Sequence, residues 1–198
     1  FGEVARKMSL LKPAMIEVNI SCPHLDYGKP YYADAELTAK VTKAVKKNTG
    51  KIPVSVKLSP NVYDIKEIAH AAEKAGADAI TAINTATGMA IDIDARKPIL
   101  KNKIGGISGP ALKPIAVRCV YEIHEAVKIP IIGTGGVTYG KDAIEMIMAG
   151  ATAVGIGTGI YYRGIDVFKK VCDEMEAWMK KNKIKNLEYK DLHLSIRR

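Results

Sequence analysis

IEVNISCPH, residues 16–24, is the stretch from which the fold of this chain can be predicted. It opens with a short run rich in β-branched residues, bounded by Pro13 and Pro23, and this pattern is typical of a buried strand. Parallel α/β sheets and barrels bind their ligands at the carboxyl ends of such strands. Asn19 and Cys22 come at that end, so they are the first candidates for chemistry.

Cys22 is a candidate base, because a thiol can accept a proton where its surroundings favour the thiolate. The alternative is an inert buried thiol, which is the usual fate of cysteine. Asn19, Ser21 and the loop rich in proline and tyrosine that follows favour the functional interpretation. His24, on that loop, is a candidate for contact with a substrate.

Four further apolar stretches have the length and composition of buried strands, at 54–58, 79–83, 129–132 and 153–156. Stretches with helical periodicity separate them, so the chain is predicted to be one α/β domain over residues 1–198 with a parallel sheet. A (β/α)8 barrel needs eight strands. The five strands therefore leave two possibilities, an open sheet or a barrel whose three leading units are missing.

Capping signals mark several of the helices. Asp34 and Asp64 each precede a helical pattern, and Gly50 ends the first of these helices. Residues 86–110 are expected to form a long insertion. The helix that follows it is predicted to turn four residues towards the core, and both helical cysteines, Cys119 and Cys172, are predicted to be core residues. The four residues are Ile115, Cys119, Ile123 and Val127.

The composition fits a soluble globular protein, with 47% hydrophobic and 26% charged residues. No apolar run is long enough to cross a membrane, and no CxxC, HExxH or Walker A motif indicates a metal or nucleotide site. The three cysteines favour reduced thiols in a cytoplasm. The net charge of +9 comes without a nucleic-acid motif, so an anionic ligand or an acidic partner is expected instead.

Two glycine-rich turns follow the last two strands, Gly135-Gly136 after one and Gly157-Thr158 after the other. Glycine lets backbone N–H groups approach an oxyanion, and barrels often bind phosphate after strands seven and eight. The alternative is two ordinary tight turns. Because glycine-rich turns follow two consecutive strands, the phosphate site is favoured over two ordinary turns.

Polar residues within or directly after the other strands are further candidates. Lys57 interrupts an apolar strand, where a buried lysine requires a partner such as the anionic edge of a reduced flavin. The alternative is an edge strand that turns the lysine outward. Asn84-Thr85 offers an amide and a hydroxyl to a planar polar ligand, although capping explains this pair equally well.

Taken together, these residues resemble the catalytic subunit of class 1B dihydroorotate dehydrogenases, the type that works with NAD. The resemblance covers essentially the whole chain, and the set of motifs in this order is highly specific. The motifs are VNISCP (18–23), VSVKLSPNV (54–62), AGADAITAINT (75–85), GMAIDIDARKPIL (88–100), GGISGPALKPIAVR (105–118), IPIIGTGGV (129–137) and AGATAVGIGTGI (149–160).

The resemblance implies a TIM barrel that binds FMN, with this chain supplying strands four to eight. It implies that Cys22 removes the C5 proton of dihydroorotate while the C6 hydride passes to the flavin. Asn19 would contact both FMN and substrate, and Asn84 and Thr85 the pyrimidine. The remaining FMN contacts would be Lys57, Ile83, Gly109, Gly135, Gly136, Gly157 and Thr158. The resemblance also implies a homodimer paired with an iron–sulfur flavoprotein that carries FAD and a [2Fe–2S] cluster.

Two departures from the family pattern define the alternatives. The family's opening third is absent, so the chain is expected to be a segment of a longer enzyme. The family usually has Asn after Cys-Pro, where this chain has His24, as the pyrimidine-reducing domain of dihydropyrimidine dehydrogenase does. Reduction of uracil or thymine is therefore one alternative function, and a non-catalytic phosphate-binding half-barrel is another. The segment 88–100 favours dihydroorotate.

Overall fold

A computed structural model describes residues 1–21 and 33–187 of the chain. Its centre is a sheet of five parallel strands, each paired with the next in chain order. These strands are β1 (Ile16–Asn19), β2 (Val54–Leu58), β3 (Ala79–Ala82), β8 (Ile131–Thr134) and β9 (Ala153–Gly155). All five predicted strands are therefore confirmed, with bounds shifted by at most two residues.

The helices alternate with these strands along the chain. They are α1 (Gly2–Ser9), α2 (Ala35–Thr49), α3 (Ile65–Lys74), α4 (Lys113–Ala126), α5 (Gly140–Met148), α6 (Gly159–Arg163) and α7 (Val167–Asn182). The predicted caps are confirmed, since Asp34 accepts a hydrogen bond from the backbone N–H of Leu37 and Asp64 from that of Lys66. Gly50, at φ 58°, ends α2.

The strand order decides between an open sheet and a section of a barrel. Doubly wound open sheets reverse their strand order part-way and carry helices on both faces. Here the five strands follow one another across the sheet in chain order, and successive helices pack against each other, as neighbours on one face do. The arrangement is five consecutive βα units of a (β/α)8 barrel.

The insertion contains two small antiparallel ribbons that its sequence does not predict. Strands β4 (Ala86–Met89) and β7 (Ile104–Ile107) pair with each other, and β5 (Ile91–Asp92) and β6 (Lys97–Pro98) form a second ribbon further out. A turn of 3-10 helix, Pro110–Leu112, then leads into α4.

One face of the sheet forms the core with the helices. Leu58, Val56 and Ile80 on that face are fully buried. On α4 the buried stripe is Ala116, Cys119, Val120 and Ile123, so the prediction for Ile115 is wrong: it is 38% exposed. Successive steps of four residues rotate by about 40° around a helix, which carries Ile115 off the core face, whereas Val127 is buried as predicted.

Cys172 is also corrected, since it is exposed on α7 rather than buried. Cys119 is buried, as predicted. Within residues 1–21 and 33–187, no helix combines the length and hydropathy that crossing a bilayer requires.

Candidate active site

A cleft of about 160 Å³ opens at the carboxyl ends of β2, β3, β8 and β9. Nine of the residues predicted from the sequence line it, together with Ser108, Leu112 and Thr134, which were not predicted. The nine are Lys57, Ile83, Asn84, Thr85, Gly109, Gly135, Gly136, Gly157 and Thr158. Residues far apart in the chain thus meet at the edge of the sheet where ligands of barrels bind.

Lys57 lies on the face of the sheet opposite the helices. Strand β2 pairs with β1 on one side and β3 on the other, so the alternative of an outward lysine on an edge strand is wrong. The side chain is 26% exposed, and its Nζ lies 3.4 Å from Oε1 of Glu17. Lys57 therefore brings a half-buried positive charge to the cleft.

Asn19 lies next to the cleft rather than among its lining residues. The side-chain amide of Asn84 donates to Asn19 Oδ1 over 3.3 Å, and that oxygen also accepts from the backbone N–H of Ser21 at 3.0 Å. Asn84 Oδ1 in turn accepts from the N–H of Thr85. Asn84 Oδ1 thus caps the backbone N–H of Thr85, as the alternative predicted. Both residues nevertheless line the cleft, so the two predictions are compatible.

Asn61 supports the same loop and was not singled out from the sequence. Its side-chain nitrogen donates to Ser59 Oγ at 2.9 Å and to the carbonyl of Thr85 at 3.2 Å, and its oxygen accepts from the N–H of Thr87 at 2.8 Å. Asn61 therefore fixes the end of β3 relative to the loop after β2.

The two glycine turns form the opposite wall. Gly135 and Gly136 have φ values of 132° and 76°, which side chains other than glycine adopt only with strain. A Cβ at Gly136 would lie 2.8 Å from the carbonyl oxygen of Gly109, so the turn after β8 packs directly on the end of the insertion. A Cβ at Gly157 would meet no protein atom within 4 Å, which leaves space beside the backbone there.

Two hydroxyl groups join the insertion to the last strand at this wall. Thr158 Oγ1 donates to Ser108 Oγ over 3.0 Å. The site thus combines the positive-φ glycines of the turn after β8 with hydroxyl groups, a donor set suited to a phosphate.

A buried carboxylate anchors the turn after β8. Asp142 is 4% exposed, and its Oδ2 accepts from the backbone N–H groups of Thr138 and Tyr139 at 3.0 and 2.8 Å. Its Oδ1 accepts from Lys113 Nζ at 3.0 Å, and Lys113 also pairs with Glu145 at 2.6 Å. Asp142 therefore connects the backbone of this turn to Lys113 at the start of α4.

The pKa values follow from this geometry. Burial by itself would raise the pKa of the Asp142 carboxyl, but the hydrogen bonds from Lys113, Tyr139 and Thr138 together outweigh it, so that pKa lies below its ordinary value. The hydrogen bond to Glu145, followed by the contacts with Asp142, raises the pKa of Lys113 despite burial. Asp142 and Lys113 are therefore both charged at neutral pH.

Cys119 is buried, and this decides its chemistry. Burial raises the pKa of the Cys119 thiol to about 11, which removes it as a base at neutral pH. Cys22 and His24 lie outside the described residues. Among residues 1–21 and 33–187, no group of His, Cys, Asp or Glu side chains is arranged to hold a metal ion.

Glu17 was also missed from the sequence. A signal was present, because a glutamate two residues before Asn19 in an apolar strand must share its face. Its partners on β2 and β3 depend on the strand register, which a single sequence does not give.

Comparison with known proteins gives consistent matches. Residues 1–179 match the family model described as dihydroorotate dehydrogenase. The NAD(+)-type dihydroorotate dehydrogenase B catalytic subunit of Methanocaldococcus jannaschii is 54% identical over 185 residues, which cover 93% of this chain and 60% of that protein. The subunit of the same name from Methanothermobacter thermautotrophicus is 53% identical over 168 residues, or 83% of this chain and 55% of that protein.

A solved structure supports the fold. The crystal structure of DHODH from Eimeria tenella in complex with ferulenol superposes with a TM-score of 0.79 at 23% identity, covering 100% of this chain and 57% of that one. The chain thus spans about 60% of the length of the relatives that it matches.

Proposed function

Because the chain belongs to the dihydroorotate dehydrogenase family, we propose that the complete protein oxidises dihydroorotate to orotate in de novo pyrimidine (UMP) biosynthesis, with FMN in the cleft. The observation that carries the proposal is the cleft itself. It joins one half-buried cation, an amide–hydroxyl pair and two glycine turns at the carboxyl edge of a barrel section.

The residues of the cleft fit FMN by their chemistry. Gly109, Gly135, Gly136, Gly157 and Thr158 would hold the phosphate end, where glycine backbone and hydroxyl groups meet and space remains beside Gly157. Lys57 and the buried Ile83 would contact the ring system from the opposite side. When bound, FMN supplies the two-electron acceptor that this oxidation requires and that amino-acid side chains lack.

The substrate would lie against the amide groups at the ends of β1 and β3. Asn19 and Asn84 are already joined by a hydrogen bond, so their remaining donors and acceptors are fixed relative to each other. Thr85 adds a hydroxyl beside them. Amide and hydroxyl groups of this kind can pair with the alternating N–H and C=O groups of a pyrimidine ring.

Cys22 would take the C5 proton of dihydroorotate. The residue before it supports this assignment, because the hydroxyl of Ser21 donates to the carbonyl of Lys57 over 2.8 Å. The chain therefore leaves β1 beside the carboxyl end of β2, where Lys57 enters the cleft.

Electrons would pass onward to NAD through a partner, in a cytoplasmic complex. Two relatives carry the words NAD(+) and catalytic subunit in their names, which supports a partner subunit and this acceptor. The partner we propose is an iron–sulfur flavoprotein with FAD and a [2Fe–2S] cluster, bound to a homodimer of catalytic subunits. The net charge of +9 favours an acidic partner surface.

Substrate turnover tests the proposal. The complete protein, supplied with a dye as electron acceptor, is expected to oxidise dihydroorotate. The same preparation is then assayed for reduction of uracil with a chemical electron donor. Flavin-loaded protein that reduces uracil and leaves dihydroorotate unchanged would contradict the assignment of substrate, and the absence of both activities would contradict the assignment as this enzyme.

A further inference from the structure

Four polar side chains form a connected network on the face of the sheet below the cleft. Thr81 Oγ1 donates to Glu17 Oε2 over 2.8 Å, and it lies 2.8 Å from Ser55 Oγ. Because the single hydroxyl hydrogen of Thr81 is directed to Glu17, Ser55 is the donor to Thr81. The other carboxylate oxygen of Glu17 lies 3.4 Å from Lys57 Nζ.

The strand register builds this network. Parallel pairing places Glu17 beside Ser55 and Lys57 beside Thr81, so that all four side chains share one face of three adjacent strands. Ser55 and Thr81 are buried, at 0% and 3% exposure. Buried hydroxyl groups are costly unless they are satisfied, and here each satisfies the next in a line that ends at the carboxylate.

We propose that Glu17 acts through Lys57: its carboxylate pairs with the ammonium group at the floor of the cleft and offsets part of the lysine's positive charge. The inference rests on the proposed function, since Lys57 is then the cation beside the flavin. Ser55 and Thr81 orient the carboxylate, which lies beside the ammonium group of Lys57.

A charge near the flavin changes its affinity for electrons. Lys57 favours the more negative, reduced form of FMN, and Glu17 opposes that preference from behind the lysine. The two side chains therefore act on the reduction potential with opposite signs. A role for Glu17 in folding alone does not produce that pattern.

The test is the midpoint potential of bound FMN in the complete protein, measured by equilibration with a redox dye. Glu17→Gln keeps an oxygen for Thr81 but removes the charge, and it is expected to raise the potential. Lys57→Met is expected to lower it. A tenfold change in the ratio of affinities for reduced and oxidised FMN corresponds to about 30 mV for this two-electron couple, and we expect a shift of that order.

Two additional variants keep the test interpretable. Glu17→Ala also removes the charge and is expected to shift the potential in the same direction, should Glu17→Gln not fold. Glu122→Gln removes an equal charge from the pair with Arg118 on α4, away from the cleft, and is expected to leave the potential unchanged.

The outcomes separate this inference from the proposed function. If wild-type protein binds FMN and both Glu17→Gln and Glu17→Ala have the wild-type midpoint potential, the role of Glu17 is overturned while the proposed function stands. Shifts of the same sign for the Glu17 and Lys57 variants overturn that role as well. Wild-type protein that binds no FMN overturns the proposed function, and this inference with it.

Discussion

The two faces of the five-stranded sheet differ in chemistry although the same strands build both. Val56, Leu58 and Ile80 point towards the helices, and their apolar side chains are fully buried. Glu17, Lys57 and Thr81 point the other way and are joined by hydrogen bonds and an ion pair. Alternate residues of one strand therefore serve different purposes, one set stabilising the fold and the other set presenting charge and hydrogen bonds to the cleft.

The largest effect on activity is expected at Cys22, which follows Glu17 and Asn19 of β1 in the chain. Cys22→Ala should lower dihydroorotate oxidation by the complete protein by roughly 10²- to 10⁴-fold, the usual contribution of a general base. FMN should stay bound, because none of the groups proposed to hold it is changed. Steady-state turnover and the flavin absorption of the variant measure the two properties, and near-wild-type turnover would place the base elsewhere.

Adjacent residues on β2 provide the most direct test of the difference between the faces. Leu58→Ala, on the core face, should lower the free energy of unfolding by roughly 2–5 kcal/mol through the cavity it leaves. Lys57→Met, on the cleft face, should change stability little but weaken FMN binding roughly 10- to 100-fold, as expected for loss of a charged hydrogen-bond partner. Urea denaturation and FMN titration of both variants are the measurements. If both substitutions changed the free energy of unfolding and the affinity for FMN equally, the two faces of β2 would not have the different roles assigned to them.

A smaller effect is expected at Asp142, which joins the core to the cleft. Asp142→Asn should lower the free energy of unfolding by roughly 2 kcal/mol, because Lys113 and two backbone N–H groups lose a charged acceptor. Since folding lowers the pKa of this carboxyl, its stabilisation is fully present above the pKa of the unfolded chain. That stabilisation is lost as the pH falls through the lower folded value.

Urea midpoints measured from neutral to acid pH test this dependence on Asp142. The difference between wild-type protein and Asp142→Asn should shrink as the pH falls. Asp173→Asn is the matched control, because its pair with Lys169 on α7 is exposed and should contribute little. A difference that stays constant down to acid pH would contradict the assigned cause.

The smallest effect on the fold and the site is expected from the two described cysteines, because neither belongs to the cleft. They should nevertheless react at different rates. A pKa of about 11 leaves Cys119 on the order of a hundredfold less thiolate at neutral pH than an ordinary cysteine has, and its burial limits access further. Cys172 is exposed and should be alkylated first in native protein. Peptide mapping after brief alkylation distinguishes them, and equal labelling would show that α4 opens readily.

Much of the fold could be predicted because local patterns determine it. Short β-branched runs, the caps at Asp34 and Asp64 and the glycine stop at Gly50 are local signals, and the structure places a strand or helix boundary at each. The ribbons at 86–107 were not predicted, because strands of two to four residues with glycines carry no clear alternation.

The candidate site was predictable to the extent that parallel strands bring their carboxyl ends together. That rule places Lys57, Asn84 and the glycine turns in one cleft without further information. It does not place Ser108, which reaches the cleft from the insertion, or Glu17, whose partners depend on how β1, β2 and β3 are aligned. Contacts between strands require the register, and the register comes only from the folded chain.

The absorption spectrum of the purified complete protein, recorded without oxygen during titration with dihydroorotate, tests the central claim most directly. The claim predicts one flavin per chain whose visible absorption is lost as dihydroorotate is added, with orotate formed in equal amount. A colourless protein, or a bound flavin that dihydroorotate leaves fully oxidised, would contradict it.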